Sequence, residues 1–282
     1  MNPLLRAALV AVVIFLPSIG AADAPGRPTV LITGASRGIG KSVTQLLMER
    51  GCTVYVNSRD LARAEAACAD LGGRGVPGAC RPVAADVSVR PQVEGMVDTI
   101  VKEAGRIDFL VNNAGIPSRS SLLDLTDEHW NAVLDINLRG VFLCTQIAAR
   151  HMIAHSFGRI VNAASYAAWH ASLNRGAYAA AKAAIIAVTK VWAGELAPHG
   201  ITVNAYAPGD IATDIIADIR GGSQEALLLS RIALRRFGDP AEVAKVIGFF
   251  LSPDADYLTG VTLNISGGKF IVQNPADAWE KR

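Results

Sequence analysis

Tyr178 and Lys182 have the residue types and the spacing for acid–base chemistry. They lie in the Ala-rich segment Gly176 to Val188, which is predicted to form a helix because it has good helix formers and no Gly or Pro after Gly176. Helical spacing places the two side chains one turn apart on one face. A phenol normally keeps its proton up to a pH of about 10, and a nearby ammonium favours the phenolate. The pair could therefore pass a proton near neutral pH, although a packed tyrosine beside a surface lysine would show the same spacing.

A phosphate-binding turn is predicted near the start of the domain. Thr29 to Ile32 is a short apolar run typical of a buried parallel strand, and Lys41 to Arg50 has a helical pattern. Between them, glycines stand at 34, 38 and 40. Glycines let the backbone approach a ligand, and the free N–H groups of a helix N-terminus attract phosphates. The spacing favours a dinucleotide site.

A nucleoside triphosphatase is the minor alternative for this turn. Gly40-Lys41-Ser42 is similar to the end of a P-loop. That motif requires a glycine where this chain has Ala35, so the dinucleotide interpretation is preferred.

The end of the second predicted strand, Thr53 to Asn57, bears on cofactor choice. An acidic residue there binds the adenosine ribose hydroxyls, whereas a basic residue accommodates a 2′-phosphate. Ser58 takes the acidic position and Arg59 follows it, with Arg37 of the glycine turn as a second cation. NADP is therefore predicted over NAD, the alternative being that Asp60 binds the ribose.

Strand and helix patterns then alternate without a linker, which predicts one α/β domain over residues 26–282 with a Rossmann-type, doubly wound parallel sheet. Ligands of such sheets bind outside the carboxyl ends of the strands. The predicted elements are a strand pattern at Pro82 to Ala85, a helix over Val89 to Gly105, a strand over Ile107 to Val111, a helix over about Glu128 to His155 and a strand over Arg159 to Ala164. The residues expected on one rim are Gly40, Ser58, Gly115, Ser165 and Pro208-Gly209.

Composition indicates an ordinary globular protein. The chain has 282 residues, 51% of them hydrophobic, and a formal net charge of +2. This near-neutral balance shows no basic stripe and argues against nucleic acid as the main partner. The four cysteines lack metal-ligand spacing, and no metal is expected. Cys52 and Cys144 lie in apolar segments and are expected to be buried free thiols, whereas Cys68 and Cys80 are the candidate disulfide of an exported protein.

The first 24 residues differ from the rest. One arginine precedes the wholly apolar run Ala7 to Leu16, and a stretch of small residues resembling a signal-peptidase site follows at Pro17 to Ala24. Residues 1–24 are predicted to be a secretory leader or, alternatively, a membrane anchor, and any membrane contact is expected through them. A start codon assigned too far upstream, with a cytoplasmic protein, is the other interpretation.

The chain resembles the short-chain dehydrogenase/reductase family from Thr29 to Gly268. The motifs that carry the resemblance are the turn Thr33 to Gly40, Asn112 to Gly115, Asn137, Ser165, Tyr178-x-x-x-Lys182, Pro208-Gly209 with Thr213, and the tail segments Arg236 to Pro240, Leu258 to Gly260 and Ser266 to Gly268. The resemblance implies hydride transfer between a nicotinamide and a carbonyl or secondary alcohol. It also implies a homotetramer or homodimer packed through the helices Glu128 to His155 and Ala177 to Pro198.

The resemblance implies a catalytic tetrad of Asn137, Ser165, Tyr178 and Lys182. Tyr178 would protonate the developing alkoxide, Ser165 would hydrogen-bond it, and Lys182 would hold the nicotinamide ribose and lower the Tyr178 pKa. Asn137 would anchor a water that links Lys182 to solvent. The implied cofactor-binding residues are Gly34, Ser36, Arg37, Gly38, Ile39, Gly40, Ser58, Arg59, Asp86, Val87, Asn113, Ala114, Gly115, Tyr178, Lys182, Pro208, Gly209, Ile211 and Thr213.

The substrate is the least defined part of the resemblance. Asp214 to Arg235 is expected to form a lid, and the loop Tyr166 to Arg175 is expected to line the pocket, with Trp169 and His170 as candidate substrate contacts. Asp210 departs from the more usual apolar residue. The branch that looks most similar is the bacterial 3-oxoacyl-acyl-carrier-protein reductases. Those reductases commonly carry basic residues just before the strand that leads to the Ser and at the end of the helix that carries the Tyr. Here these positions hold Ser156-Phe157 and His199, which weakens docking of an acidic carrier protein. Dehydrogenases of sugars, steroids or small alcohols are the alternative, and a non-enzymatic dinucleotide sensor is a remote one.

Overall fold

The computed structural model describes residues 26–213, 222–269, 271–272 and 274–280. The predicted leader, residues 1–24, lies outside the described residues. So does the part of the predicted lid from 214 to 221.

A seven-stranded parallel sheet organises the domain, in the order β3-β2-β1-β4-β5-β6-β7. The strands are β1 Thr29–Ile32, β2 Thr53–Ser58, β3 Ala79–Ala84, β4 Phe109–Asn112, β5 Gly158–Ala163, β6 Ile201–Pro208 and β7 Thr262–Ile265. In the register, Ile32 lies opposite Val56 on one side and Val111 on the other. The chain changes direction across the sheet between β1 and β4, and such a switch point is where open α/β sheets bind their ligands. The predicted Rossmann-type fold is confirmed.

Helices cover both faces of the sheet. They are α1 Gly38–Glu49, α2 Leu61–Gly72, α3 Arg90–Ala104, α4 Asp127–Leu134, α5 Gly140–Ala154, α6 Gly176–Leu196, α7 Ser223–Ser230, α8 Pro240–Phe250 and α9 Asp277–Glu280. Side chains alternate along β1, so Val30 and Ile32 join one core cluster with α1, α2 and α8. Leu31 joins the other cluster, with α3 and α5. Because both faces are covered, β1 is fully buried, and its residues after Thr29 are all apolar.

The long helix predicted over Glu128 to His155 is present but not uniform. A π-helical turn, Asp135–Arg139, separates α4 from α5. The whole stretch is long and apolar enough to cross a membrane, yet 56% of its most apolar window is buried inside the protein, as in a core helix. The α2 helix was not predicted, and β3 begins at Ala79 rather than at the predicted Pro82.

The cysteines divide as expected into one pair and two buried thiols. Cys68 on α2 and Cys80 on β3 form a disulfide, with Cα atoms 5.3 Å apart. Cys52 and Cys144 are free and fully buried, and burial raises the pKa of both thiols to about 12. The disulfide ties α2 to the edge of the sheet.

Candidate active site

A cavity of about 840 Å³ opens at the carboxyl ends of the strands. Every residue that sequence analysis assigned to catalysis or cofactor binding lines it, with the exception of Gly40. Residues from the glycine turn, from the ends of β2, β4, β5 and β6, and from α6 are thus brought together. A dinucleotide is large and extended, and one continuous cavity along this rim has suitable dimensions for it.

The glycine turn is shaped by close backbone contacts. Gly34 and Gly38 have φ angles of 61° and 54°, a region that side-chain-bearing residues rarely adopt. A Cβ on Gly34 would lie 2.8 Å from Cα of Ala114, so the turn packs directly on the residues after β4. A Cβ on Gly40 would lie 2.7 Å from Asn113 Nδ2, so Gly40 serves helix packing and does not reach the cavity.

The N-terminus of α1 is open to an anion. Its N-cap residue, Arg37, makes no side-chain capping hydrogen bond, and the first turn holds no acidic residue. The uncapped N–H groups and the positive end of the helix dipole therefore face the glycine turn, where a phosphate is favoured.

Asn113 holds the glycine turn in place. Its Nδ2 donates to the carbonyl oxygens of Thr33 and Gly34, both at 3.0 Å, and its Oδ1 accepts from the Tyr206 hydroxyl at 2.9 Å. Thr33 Oγ1 in turn accepts from the backbone N–H groups of Asn113 and Ala114. Asn113 lines the cavity, but its side chain is occupied in positioning β1 against β4, a role that sequence analysis did not foresee.

Three arginines stand at the end of the cavity beyond β2. Arg37 and Arg59 are exposed and line it, as predicted, and Arg63 on α2 joins them. Asp60 caps α2 by accepting a hydrogen bond from the backbone N–H of residue 62 at 3.0 Å, and it pairs with Arg63 at 3.4 Å. Ser58 is 9% exposed, and its hydroxyl accepts from the Asp60 backbone N–H. The Asp60 carboxylate thus has two local partners, and the three arginines outnumber the carboxylates of Asp60 and Asp86 that also line the cavity.

Ser165, Tyr178 and Lys182 converge on one wall of the cavity. Ser165 follows β5, and its hydroxyl is hydrogen-bonded to the Tyr178 phenol. Tyr178 and Lys182 lie on α6, as the helical spacing predicted, with Nζ of Lys182 at 5.6 Å from the centre of the Tyr178 ring. Lys182 is 3% exposed, and its Nζ donates to the carbonyl oxygen of Ala163 at 2.7 Å. The two hydroxyls and the ammonium could thus act on one ligand oxygen and its neighbours.

Asn137 projects from the π-helical turn toward the same wall. Its Nδ2 donates to the carbonyl oxygens of Ile116 and Val133, at 3.0 and 2.9 Å. Its buried Oδ1 finds no hydrogen-bond partner among the described residues. A Cβ on Gly115 would lie 2.7 Å from this oxygen and 3.7 Å from Lys182 Nζ, so both atoms border one small space. An acceptor held this way suits a bound polar group, and π-helical turns often occur at functional sites.

The pKa of Tyr178 is raised, not lowered as the family resemblance implied. Burial is the largest cause, and the hydrogen bond from Ser165 and the charge of Arg175 act against it. The charge of Lys182 is not among the causes of this shift, and burial lowers the pKa of Lys182 itself to about 8. The protein chain alone therefore keeps the phenol protonated at neutral pH, as a proton donor must be.

Lys182→Met is expected to stabilise the ligand-free protein below pH 8. The Lys182 pKa falls on folding from 10.5 to about 8, so below pH 8 the folded protein carries a buried charge at a cost on the order of 3 kcal/mol. Between about pH 8 and 10.5 the unfolded chain binds the extra proton, so the wild type gains stability with rising pH and the methionine variant does not. Denaturant unfolding at pH 7 and 9.5 measures this. A stability difference that does not change with pH would contradict the assignment.

The loop Tyr166 to Arg175 was expected to line the pocket, and Tyr166, Ser172 and Arg175 do so. Trp169 and His170 of the same loop are exposed and do not line the cavity. The contact of Tyr166 with Lys269, and of Lys269 with Asp210, on the wall beside Ser165 was not predicted, because no sequence pattern connects these three residues. Within the described part of the predicted lid, residues 222–235, Leu228 and Arg231 reach the wall.

The fold and the site define a class of protein. A parallel sheet with a glycine turn at its switch point, a cavity sized for a dinucleotide and a Ser–Tyr–Lys group on its wall are the features of an NAD(P)-dependent oxidoreductase. Residues 34–269 match the family described as "Enoyl-(Acyl carrier protein) reductase". The chain belongs to the short-chain dehydrogenase/reductase family and acts on a carbonyl or alcohol with NAD(P).

Curated relatives and solved structures agree with this membership. The chain is 42% identical to a 3-oxoacyl-[acyl-carrier-protein] reductase of Thermotoga maritima over 86% of its own length and 97% of the relative's. It is 40% identical to the short-chain reductase protein NovJ of Streptomyces niveus, covering 85% and 92% of the two chains. A Brucella melitensis 3-oxoacyl-[acyl-carrier protein] reductase with bound NAD superposes with a TM-score of 0.80 at 35% identity, covering 88% of this chain and 92% of the other.

These matches decide between the alternatives left by the sequence. The triphosphatase and the non-enzymatic sensor are both set aside by membership of an oxidoreductase family. The family description names enoyl reductases, whereas the relatives named above include 3-oxoacyl reductases, which reduce a different bond. Family membership thus gives the reaction type and the cofactor class, and the substrate has to be argued from the site.

Proposed function

We propose that this protein reduces the ketone of a 3-oxoacyl thioester with NADPH. The observation that carries the proposal is the convergence of Ser165, Tyr178, Lys182 and Asn137 on one wall of the cavity that also contains the glycine turn. The names of several relatives support the acyl thioester as the substrate.

The four wall residues have distinct roles in this proposal. Bound NADPH supplies the hydride that reduces the carbonyl carbon. Tyr178 gives its proton to the oxygen as negative charge develops there, and Ser165 donates a hydrogen bond to the same oxygen. Lys182 holds the nicotinamide ribose hydroxyls. The unpaired Oδ1 of Asn137 orders a water through which the proton is replaced from solvent.

The remaining cofactor contacts follow the length of the cavity. The glycine turn and the N-terminus of α1 hold the pyrophosphate. Asp86 with Val87 would contact the adenine, Asn113 with Gly115 the ribose, and Ile211 with Thr213 the nicotinamide carboxamide. All of these residues line the cavity, which supports the assignment.

A preference for NADP over NAD is part of the proposal, and Arg59→Ala tests it. Arg59 and Arg37 are the cations next to Ser58, and removing one charge-assisted contact to a 2′-phosphate costs about 1.5–3 kcal/mol. The Kd of NADPH is therefore expected to rise by roughly 10- to 100-fold while that of NADH stays unchanged. Arg74→Ala is the matched control, because Arg74 is an exposed arginine paired with Asp70 outside the cavity. Equal losses for both cofactors in Arg59→Ala would contradict the preference.

The substrate is tested by cofactor oxidation. Protein lacking Met1 to Ala24 is supplied with NADPH or NADH and with a 3-oxoacyl thioester beside sugars, steroids, ketones and aldehydes. NADPH-dependent reduction of the thioester is the expected result. Turnover of the other carbonyls without the thioester would move the assignment to a general alcohol dehydrogenase.

We further propose that residues 1–24 direct export or anchor the protein in a membrane. The Cys68–Cys80 disulfide supports this, because disulfides persist in oxidising compartments. Cell fractionation of the full chain, with mass spectrometry of the amino terminus and of the Cys68–Cys80 peptide, tests it. A cytoplasmic protein with reduced thiols would overturn the proposal.

A homotetramer or homodimer is proposed through the helices Glu128 to His155 and Ala177 to Pro198. Large apolar side chains are exposed there, among them Trp130, Phe142 and Val191. Light scattering of the purified protein measures the mass directly. A monomer at micromolar concentration would exclude the assembly.

A further inference from the structure

Three polar side chains from distant parts of the chain meet beside Ser165. They are Tyr166, Asp210 and Lys269, which we call the polar wall. Lys269 Nζ donates to the Tyr166 hydroxyl at 2.7 Å and pairs with Asp210 Oδ2 at 2.5 Å. The same Nζ lies 4.2 Å from the centre of the Tyr166 ring. Since Lys269 is 3% exposed, its charge is balanced within the protein.

The polar wall is not explained by stability. Removing two charges from water costs several kcal/mol, and well-packed apolar residues in their place are often equally stable or more so. All three residues line the cavity, and Tyr166 directly follows Ser165. A buried ion pair on the wall of a binding cavity points instead to recognition of a ligand.

The Asp210 carboxylate indicates which kind of ligand group the polar wall recognises. Lys269 engages Oδ2, and among the described residues no hydrogen bond reaches Oδ1. The side chain is 16% exposed and lines the cavity. A carboxylate oxygen accepts hydrogen bonds and cannot donate them. An alkyl chain placed against Asp210 would remove its water without supplying a donor, which is unfavourable, whereas a hydroxyl would satisfy it.

We propose that the polar wall selects substrates that carry a hydroxyl group close to the reacting carbonyl. The inference rests on the proposed carbonyl reduction at Ser165 and Tyr178 and specifies its substrate class. Tyr166 adjoins Ser165 in the chain and acts electrostatically on the Tyr178 phenol, so a hydroxyl near the reacting carbonyl is the substrate group that can meet the wall. The preferred ketone or 3-oxoacyl thioester is hydroxylated there and is not a plain alkyl compound.

Matched substrates test this with the full-length protein. Hydroxyacetone is compared with butanone, and the 4-hydroxy-3-oxobutanoyl thioester with the 3-oxopentanoyl thioester, because each pair exchanges a hydroxyl for a methyl group. The wild type is expected to favour the hydroxylated member by at least about tenfold in kcat/KM, as one satisfied buried hydrogen bond to a charged group provides. The double variant Asp210→Leu/Lys269→Met should lose that preference. Both charges are removed together because a single substitution would leave the other charge buried and unpaired.

A control pair and a binding measurement keep the outcomes distinct. Arg159→Met/Asp256→Leu removes an ion pair outside the cavity and should leave the hydroxyl preference unchanged. Calorimetry in the presence of NADP⁺ measures the affinity for each ketone without turnover. A wild type that binds and reduces both members equally, or a polar-wall variant that keeps the wild-type preference, overturns the proposal. A hydroxyl preference with the simple ketones but not with the thioesters supports the proposed selectivity of the polar wall. It contradicts the proposed thioester substrate instead.

Discussion

Replacing Tyr178 with phenylalanine is expected to lower kcat/KM for carbonyl reduction by about 10³-fold, the usual contribution of a positioned general acid. The phenol lies on the cavity wall, hydrogen-bonded to Ser165, and burial raises its pKa, so it is a protonated donor at neutral pH. Phenylalanine keeps the ring and removes this donor. Because the substituted group faces the substrate, the Kd for NADPH should change by less than about threefold, which is under 1 kcal/mol.

Steady-state kinetics and fluorescence titration with NADPH measure the two effects separately. Tyr257→Phe is the matched control, since Tyr257 is fully exposed and does not line the cavity. It should leave both kcat/KM and the Kd unchanged. If Tyr178→Phe kept more than about a tenth of the wild-type kcat/KM, Tyr178 would not be the general acid.

Gly34→Ala is expected to have the largest effect on cofactor binding of any single-methyl change in the glycine turn. At φ 61° an L-residue costs roughly 1–2 kcal/mol, and the new Cβ would stand 2.8 Å from Cα of Ala114. The contact is with backbone, so either the turn or the residues after β4 must move. The free energy of unfolding should fall by at least about 2 kcal/mol, and the affinity for NADPH by more than about tenfold.

Gly95→Ala provides the comparison for this substitution. Gly95 lies inside α3, and a Cβ there would meet nothing within 4 Å. Alanine should therefore stabilise the protein by about 0.5–1 kcal/mol and leave cofactor affinity unchanged. Urea unfolding and NADPH titration of both variants make the test. Equal behaviour of the two variants would show that the backbone contact at Gly34 is unimportant for the turn.

Local spacing was sufficient for the parts of the site that lie on single elements. The residue types of the segment that carries Tyr178 and Lys182 are sufficient to predict a helix, and helical spacing then places the two side chains on one face. The order of β1, glycine turn and α1 was likewise predictable from adjacent residues, whereas the contacts of the turn with Asn113 and Ala114 were not. The parallel sheet then brings the carboxyl ends of its strands to one rim, which is why Ser165 could be placed there in advance.

Contacts between distant segments were beyond the reach of such patterns. Lys269 lies 103 residues from Tyr166 and 59 from Asp210, and their hydrogen bonds exist because β5, β6 and the segment after β7 end side by side. The raised pKa of Tyr178 likewise depends on burial, which packing of the whole domain produces. Residue types and spacing thus determined the fold class and the catalytic group. Only tertiary packing decided the charge environment of Tyr178 and the polar wall, because desolvation and long-range hydrogen bonds have no local sequence period.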